Sequence, residues 1–271
     1  MKLYFHYFMV QLKTVMQYKA SFFLSMIGQF LVSFNVFLGV YFMLQRFHQV
    51  EGFTYSQCLL CFSTVLLSFS LAECFFRGFD AFSFFIQKGE FDQILIRPRS
   101  LILQILGSRI EFSRIGRMIQ SIVIFCYAIP KSQIIWTSSK TFTLIFMIVG
   151  GVIVFASLFL IYASLCFFKI ENLEFMNIFT DGAREYGKYP IGIYGKNVLR
   201  ICTYIVPFAL FQYYPFLYLI GKTEKKIYMI LPLVACLFFI PCFFLCFHFA
   251  AAPPCFFLGA PRGFWRVKSL I

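Results

Sequence analysis

Apolar residues run through this chain in blocks about one bilayer long, separated by short polar stretches. The blocks lie near residues 20–44, 56–76, 142–168, 191–212 and 227–249, with a shorter one at 117–129. An α-helix rises 1.5 Å per residue, so roughly 20 residues are needed to cross about 30 Å of hydrocarbon. The short block must therefore extend back through residues 105–116, which places Arg109, Glu111 and Arg114 at or below one interface. The pattern predicts an all-α integral membrane protein with six transmembrane helices. Pro207 and Pro215 bracket residues 208–214, so the fifth span should end in a bent or re-entrant segment, because proline removes a helical hydrogen bond. Tyr213 and Tyr214 read equally well as part of that break or as aromatic-belt anchors. Pro232 and Pro241 should kink the sixth span.

Before the first block, Gln11, Lys13, Gln17 and Lys19 interrupt the apolar sequence, with Val15 and Met16 between the lysines. Residues 1–19 are expected to form an amphipathic interfacial helix. Residues 20–250 then form one six-span domain and 251–271 a cytoplasmic tail. Gln29, Ser33 and Asn35 on the first span are positioned either to bond a neighbouring membrane chain or to line a path.

Composition strengthens the membrane reading. The chain is 61% apolar and 13% charged, with mean hydropathy +0.81. Soluble domains carry about 25% charged residues. The net charge is +13, yet no basic nucleic-acid-binding face is discernible. The Lys and Arg residues instead segregate by side. With both termini in the cytoplasm, the inner connections hold 18 of the 24 and the outer connections six, as positive-inside orientation requires. The outer loops are then short, at 45–55, 130–141 and 221–226. Ten Cys lie within or beside apolar blocks; Cys58 and Cys61 are spaced CxxC but lack a second pair or a nearby His, and no disulfide framework is implied. His6, His48 and His248 are too scattered for a metal site.

Two inner connections carry the candidate chemistry. In the first, Phe79, Phe82, Ser83 and Ile86 share one helical face over residues 79–88, and Gly89 is placed to cap that helix after Lys88. A polar island follows, with Glu90, Asp92, Arg97 and Arg99 close together. Pro98 forces Arg97 out of the α region, and a new helix should begin near 99–101. The sequence of helix, break, proline and helix describes a stiff loop able to carry force. The second connection, 170–186, is also amphipathic. Ile170, Leu173, Met176, Phe179, Ala183 and Tyr186 recur at helical spacing, opposite Glu171, Glu174, Asp181 and Arg184. It suits a membrane-surface helix and a helix docked on a soluble partner equally. Glu73, near the inner end of the second span, reads as a partner of Arg77 at i+4 ahead of the alternative, a substrate contact.

The order Gly89, Phe91, Asp92, Leu95, Arg97, Pro98 resembles the G-x-L/F-D-x-x-L-x-R-P signature of the ABC-2 type permease family. Downstream, Tyr189-Pro190, Ile205-Val206-Pro207-Phe208-Ala209, Tyr213-Tyr214-Pro215 and Leu219-Ile220-Gly221 look like the fifth-span pattern of that family. The resemblance covers residues 2–250; the end of the chain departs from the short basic tail usual there. It implies a permease subunit of an ATP-binding cassette exporter in a bacterial plasma membrane, paired with a second permease chain and driven by separate ATPase subunits. ATP and Mg would sit on those ATPases, since this chain has no G-x-x-x-x-G-K-[ST] phosphate loop. The coupling loop would comprise Phe82, Ile86, Lys88, Gly89, Glu90, Phe91, Asp92, Leu95, Arg97 and Pro98. Leu173, Met176, Phe179 and Arg184 would form the second cytoplasmic contact. A lipid-modifying membrane enzyme and a non-transporting assembly protein are the alternatives; neither gains support from a metal-ligand or catalytic pattern among the acids.

Overall fold

The computed structural model describes residues 2–47, 49–50, 52–80, 82–90, 93, 96, 101–166, 177–204 and 206–237. Within them the chain is nearly all helical. Helices α1 (Lys2–Gln17) and α2 (Lys19–Phe47) meet at a bend, and a two-stranded hairpin pairing Gln49 with Thr54 leads into α3 (Tyr55–Phe76). Thr54 N donates to Gln57 Oε1 at 3.2 Å, half of a capping box that fixes where α3 starts. A 3-10 turn (Arg77–Phe79) and α4 (Phe82–Gln87) follow, then α5 (Leu101–Ser108), α6 (Ile115–Lys131) and α7 (Ser138–Leu165). The rest is more broken: α8 (Asn177–Tyr186), α9 (Lys196–Tyr204), α10 (Phe208–Phe211), α11 (Tyr213–Leu219) and helical residues 231–237.

Four segments among the described residues are long and apolar enough to cross a membrane: Lys19–Met43, Tyr55–Gln87, Phe112–Lys131 and Ser138–Leu165. The first, second and fourth coincide with expected spans. The third does not form as expected. Residues 105–131 are not one helix, because α5 ends at Ser108 and the chain turns through Arg109–Glu111 before a 3-10 turn at Phe112–Arg114. The charged triplet Arg109, Glu111 and Arg114 marks this corner: Arg109 and Arg114 both pair with Glu111, which a continuous helix would not favour so compactly.

The fifth block differs too. Gly195 (φ +94°) ends the short turn at Ile191–Tyr194, and α9 stops at Tyr204 ahead of Pro207. Pro215 offers no donor to the Phe211 carbonyl four residues earlier, and the backbone bends between them at Gln212. Residues 238–250 of the expected sixth span, and the 251–271 tail, lie outside the described residues.

Helix α3 is the axis of the bundle, buried along most of its length between α6 and α7. Where helices meet, small residues let backbones approach, the usual device in membranes. Gly116 of α6 sits on the Met26 carbonyl of α2, Gly151 of α7 on Ser68 of α3, and Gly150 on Pro232. Ser68 Oγ donates to the Ile148 carbonyl across that contact at 3.1 Å. The hairpin, the α6–α7 turn and the 221–226 loop gather at one end, where Phe53 stacks on Phe216 and Lys222 Nζ lies 3.5 Å from the Phe53 ring centre. The opposite end holds α1, α4, α5 and most of the charged side chains. There Gln11 Nε2 donates to Ser108 O at 2.7 Å and the Tyr7 ring packs on Gly107, fastening α1 to α5.

Candidate functional site

The charged end is organised around one carboxylate. Glu73 lies one turn before the end of α3 and is only 1% exposed. An isolated charge there would be prohibitively costly, so partners must surround it. Arg77 Nη1, one turn on, bonds Glu73 Oε1, as the i, i+4 spacing anticipates. Two further arginines arrive from other elements. Arg117 Nη1 of α6 bonds Glu73 Oε2, and Arg114 Nε lies 3.7 Å from Oε1. The amide of Gln29 on α2 accepts from Arg114 Nη1 and Arg117 Nη2, both at 2.9 Å. Arg77 also reaches Asp80 at 3.2 Å, and Arg114 reaches Glu111 at 3.2 Å. The three more buried guanidinium groups, of Arg77, Arg114 and Arg117, balance the carboxylates of Glu73, Asp80 and Glu111, and the exposed Arg109 adds a second partner to Glu111.

This cluster sits where α2, α3, α6 and the start of the connection after α3 meet. Arg77 and Asp80 flank the turn from which α4 emerges. Phe79 at the end of the 3-10 turn and Phe82 and Ile86 on α4 face the main apolar cluster. Gly89 has φ +69°, and its N–H donates to Ile86 O, so it closes α4 in the left-handed conformation that glycine adopts freely. Lys88 Nζ lies over the Phe84 ring, Glu90 is half-buried, and Ile96 is 82% exposed. Phe91, Asp92, Leu95, Arg97 and Pro98 lie outside the described residues, as do Leu173 and Met176 of the second connection.

The described part of that second connection is not a surface helix throughout. Phe179 packs on the main cluster and Thr180 and Ala183 are buried. The end of α8 then runs up the bundle. Arg184 lies 5.4 Å from the ring centre of Phe69, and Gly187 contacts Val65, both midway along α3. Gln212 Nε2 donates to the carbonyls of Gly187 and Tyr189, each at 3.2 Å, and holds the following segment inside. At the fifth-span break, Pro207 and Pro215 are buried, the Tyr213 ring packs on Gly192, and Tyr214 Oη lies 3.3 Å from Thr203 Oγ1.

Sequence reasoning paired Glu73 with Arg77 but gave no sign of Arg114, Arg117 or Gln29 as partners. Their separations of 44 and 85–88 residues leave no local pattern to read.

A stiff, neutralised joint at the root of a polar loop in a helical membrane bundle is suited to transmitting force. A family model described as ABC-2 family transporter protein matches residues 30–252. The chain belongs to this ABC-2 family. It is an ABC-2 type permease, a membrane transport protein of helical architecture. No curated protein and no solved structure matches the chain. Permeases of this family typically work with ABC-type ATPase subunits.

Proposed function

We propose that this ABC-2 permease is the membrane subunit of an exporter in the bacterial plasma membrane, with six spans and both termini in the cytoplasm. Separate ATPase subunits dock on its first inner connection, residues 82–98, and their closure on ATP is passed to the spans. The observation that carries the reading is the Glu73 cluster. It ties the root of that connection (Arg77, Asp80) to α2 through Gln29 and to α6 through Arg114 and Arg117. A push on the loop therefore reaches three spans at once. Phe82, Ile86, Lys88, Gly89, Glu90, Phe91, Asp92, Leu95, Arg97 and Pro98 form the coupling element, and Phe179, with Leu173 and Met176, completes the inner face, while Arg184 of the same connection lies deeper, beside Phe69. ATP and Mg belong to the ATPases, not to this chain. Residues 1–19 lie at the inner interface and 20–250 form the permease domain.

A second permease chain completes the path. Helix α2 is little buried, and Gly28, Asn35 and Gly39 share one of its exposed faces at i, i+7 and i+11. The space beside both glycines is open. Close helix approach and an amide mid-span are what helix pairing in a membrane uses.

The test is co-purification of an ATPase with the permease, followed by ATP turnover in vesicles. Asp92→Ala or Arg97→Ala should leave the complex formed or weakened but change turnover several-fold. Normal binding and normal turnover in both variants would refute the coupling role. Chemical activity on lipid without any ATPase would favour a membrane enzyme instead.

A further inference from the structure

Charged side chains also lie further up the bundle than the Glu73 joint and next to it, since Arg184 and Arg117 both approach the Phe69 ring. Arg184, Glu185 and Lys188 line a cleft whose other walls are Val32, Ser33 and Val36 of α2 and Phe62 and Leu66 of α3. Those helical positions are near the middle of the two spans. Ionisable groups at such depth face a partner or a hydrated cavity, not lipid. They are also held there deliberately. Gln212 fastens the Gly187 and Tyr189 carbonyls, and at Gly187 any side chain would strike Val65.

The chemistry of the cleft is asymmetric. Glu185 is shared between two cations, with Arg184 Nη2 at 3.0 Å from Oε1 and Lys188 Nζ bonded to Oε2. Asp181, the other partner of Arg184 at 3.5 Å, is 45% exposed and lies outside the cleft walls. The lining therefore carries one more positive than negative group, set against four apolar side chains and one hydroxyl. In this conformation the cleft is narrow, holding about 20 Å³, room for one water. Resting on the permease reading, we infer that it is the closed form of a substrate site for an amphiphilic anion. The phosphate or carboxylate head takes Arg184 and Lys188 from Glu185, and the apolar body lies along Val32, Val36, Phe62 and Leu66.

The test uses the permease with its ATPase in phosphatidylcholine nanodiscs and a dodecyl phosphate carrying a photoreactive diazirine on its chain. Labelled peptides are mapped by mass spectrometry. Labelling is expected at residues 32–36 and 62–66, competed by dodecyl phosphate and dodecanoate. Arg184→Gln with Lys188→Gln should lower it about tenfold or more, the effect of losing charge-assisted hydrogen bonds. Glu185→Gln, which frees both cations and deletes no wall, should raise it several-fold and guards against a double variant that fails to fold. Competition by inorganic phosphate alone would mean that only the head is recognised and would overturn the amphiphile assignment. Equal competition by dodecyltrimethylammonium, or labelling confined to Leu24 and Phe42 on the outer face of α2, would also overturn it. Loss of the ATPase from the complex with labelling intact would instead count against the exporter reading.

Discussion

Replacing Glu73 by Gln should destabilise the bundle far more than replacing any of its arginine partners. The reason lies in who is left without a counter-charge. Without the carboxylate, Arg77 keeps Asp80 and Arg114 keeps Glu111, each at 3.2 Å. Arg117 keeps only the Gln29 amide, and its side chain is 4% exposed. Its Nε has no partner among the described residues even with Glu73 present. Breaking a buried pair so that one charge stays uncompensated costs about 3–5 kcal/mol. In Arg117→Gln, by contrast, Glu73 retains Arg77 and Arg114, and the loss is that of a charge-assisted hydrogen bond, about 1.5–3 kcal/mol. The double variant Glu73→Gln/Arg117→Gln has no orphan, so adding the Glu73 change to Arg117→Gln should cost under about 1 kcal/mol, in keeping with the small net worth of a buried ion pair. Unfolding of the purified permease by dodecyl sulfate in mixed micelles, followed by circular dichroism, would give all three values. If the double variant loses the sum of the two single losses, or if Glu73→Gln costs no more than Arg77→Gln, the cluster is not arranged as described.

Three further substitutions probe other links. Gly116→Ala drives a methyl group into the Met26 carbonyl, so it should cost about 1–3 kcal/mol in the same unfolding assay by separating α2 from α6. Gly89→Ala places a side chain at φ +69°, worth roughly 1–2 kcal/mol locally; unfolding of the bundle should hardly change, while ATP turnover of the assembled complex falls. Gln212→Leu strips the donor from two carbonyls, about 1–3 kcal/mol for each left buried, and hydrogen exchange at residues 187–195 should quicken relative to α3.

The parts of this fold that the sequence reveals are those decided by local pattern. The spans at 20–44, 56–76 and 142–168 fall within a few residues of α2, α3 and α7, because an uninterrupted apolar run of bilayer length has no other good solution. The Gly89 cap and the Glu73–Arg77 pair are likewise set within one helical turn. The corner at Arg109–Glu111 was hidden because apolar residues continue on both sides of it, and only the pairing of two arginines with Glu111 marks the turn. The α8 periodicity is the same for a helix on the membrane surface and for one whose end enters the bundle. What separates the two is the Gln212 amide, 25 residues away from Gly187, and the absent side chain of Gly187 itself. Arg114 read as an interfacial residue and Gln29 as one that bonds a neighbouring chain or lines a path, because the Glu73 cluster that joins them is set by tertiary packing alone.

The coupling role requires that the ATPase meets the end of the bundle that carries the polar loop. Ile96, in the polar loop, and Ile135, in the turn between α6 and α7, are both 82% exposed but belong to opposite ends. A photoreactive benzoylphenylalanine placed at each position in turn, irradiated in intact cells, compares the two directly. Capture of the ATPase subunit from position 96 and none from position 135 is the predicted outcome. Capture from 135, or from neither with the complex intact, would contradict the assignment of the loop as the coupling surface.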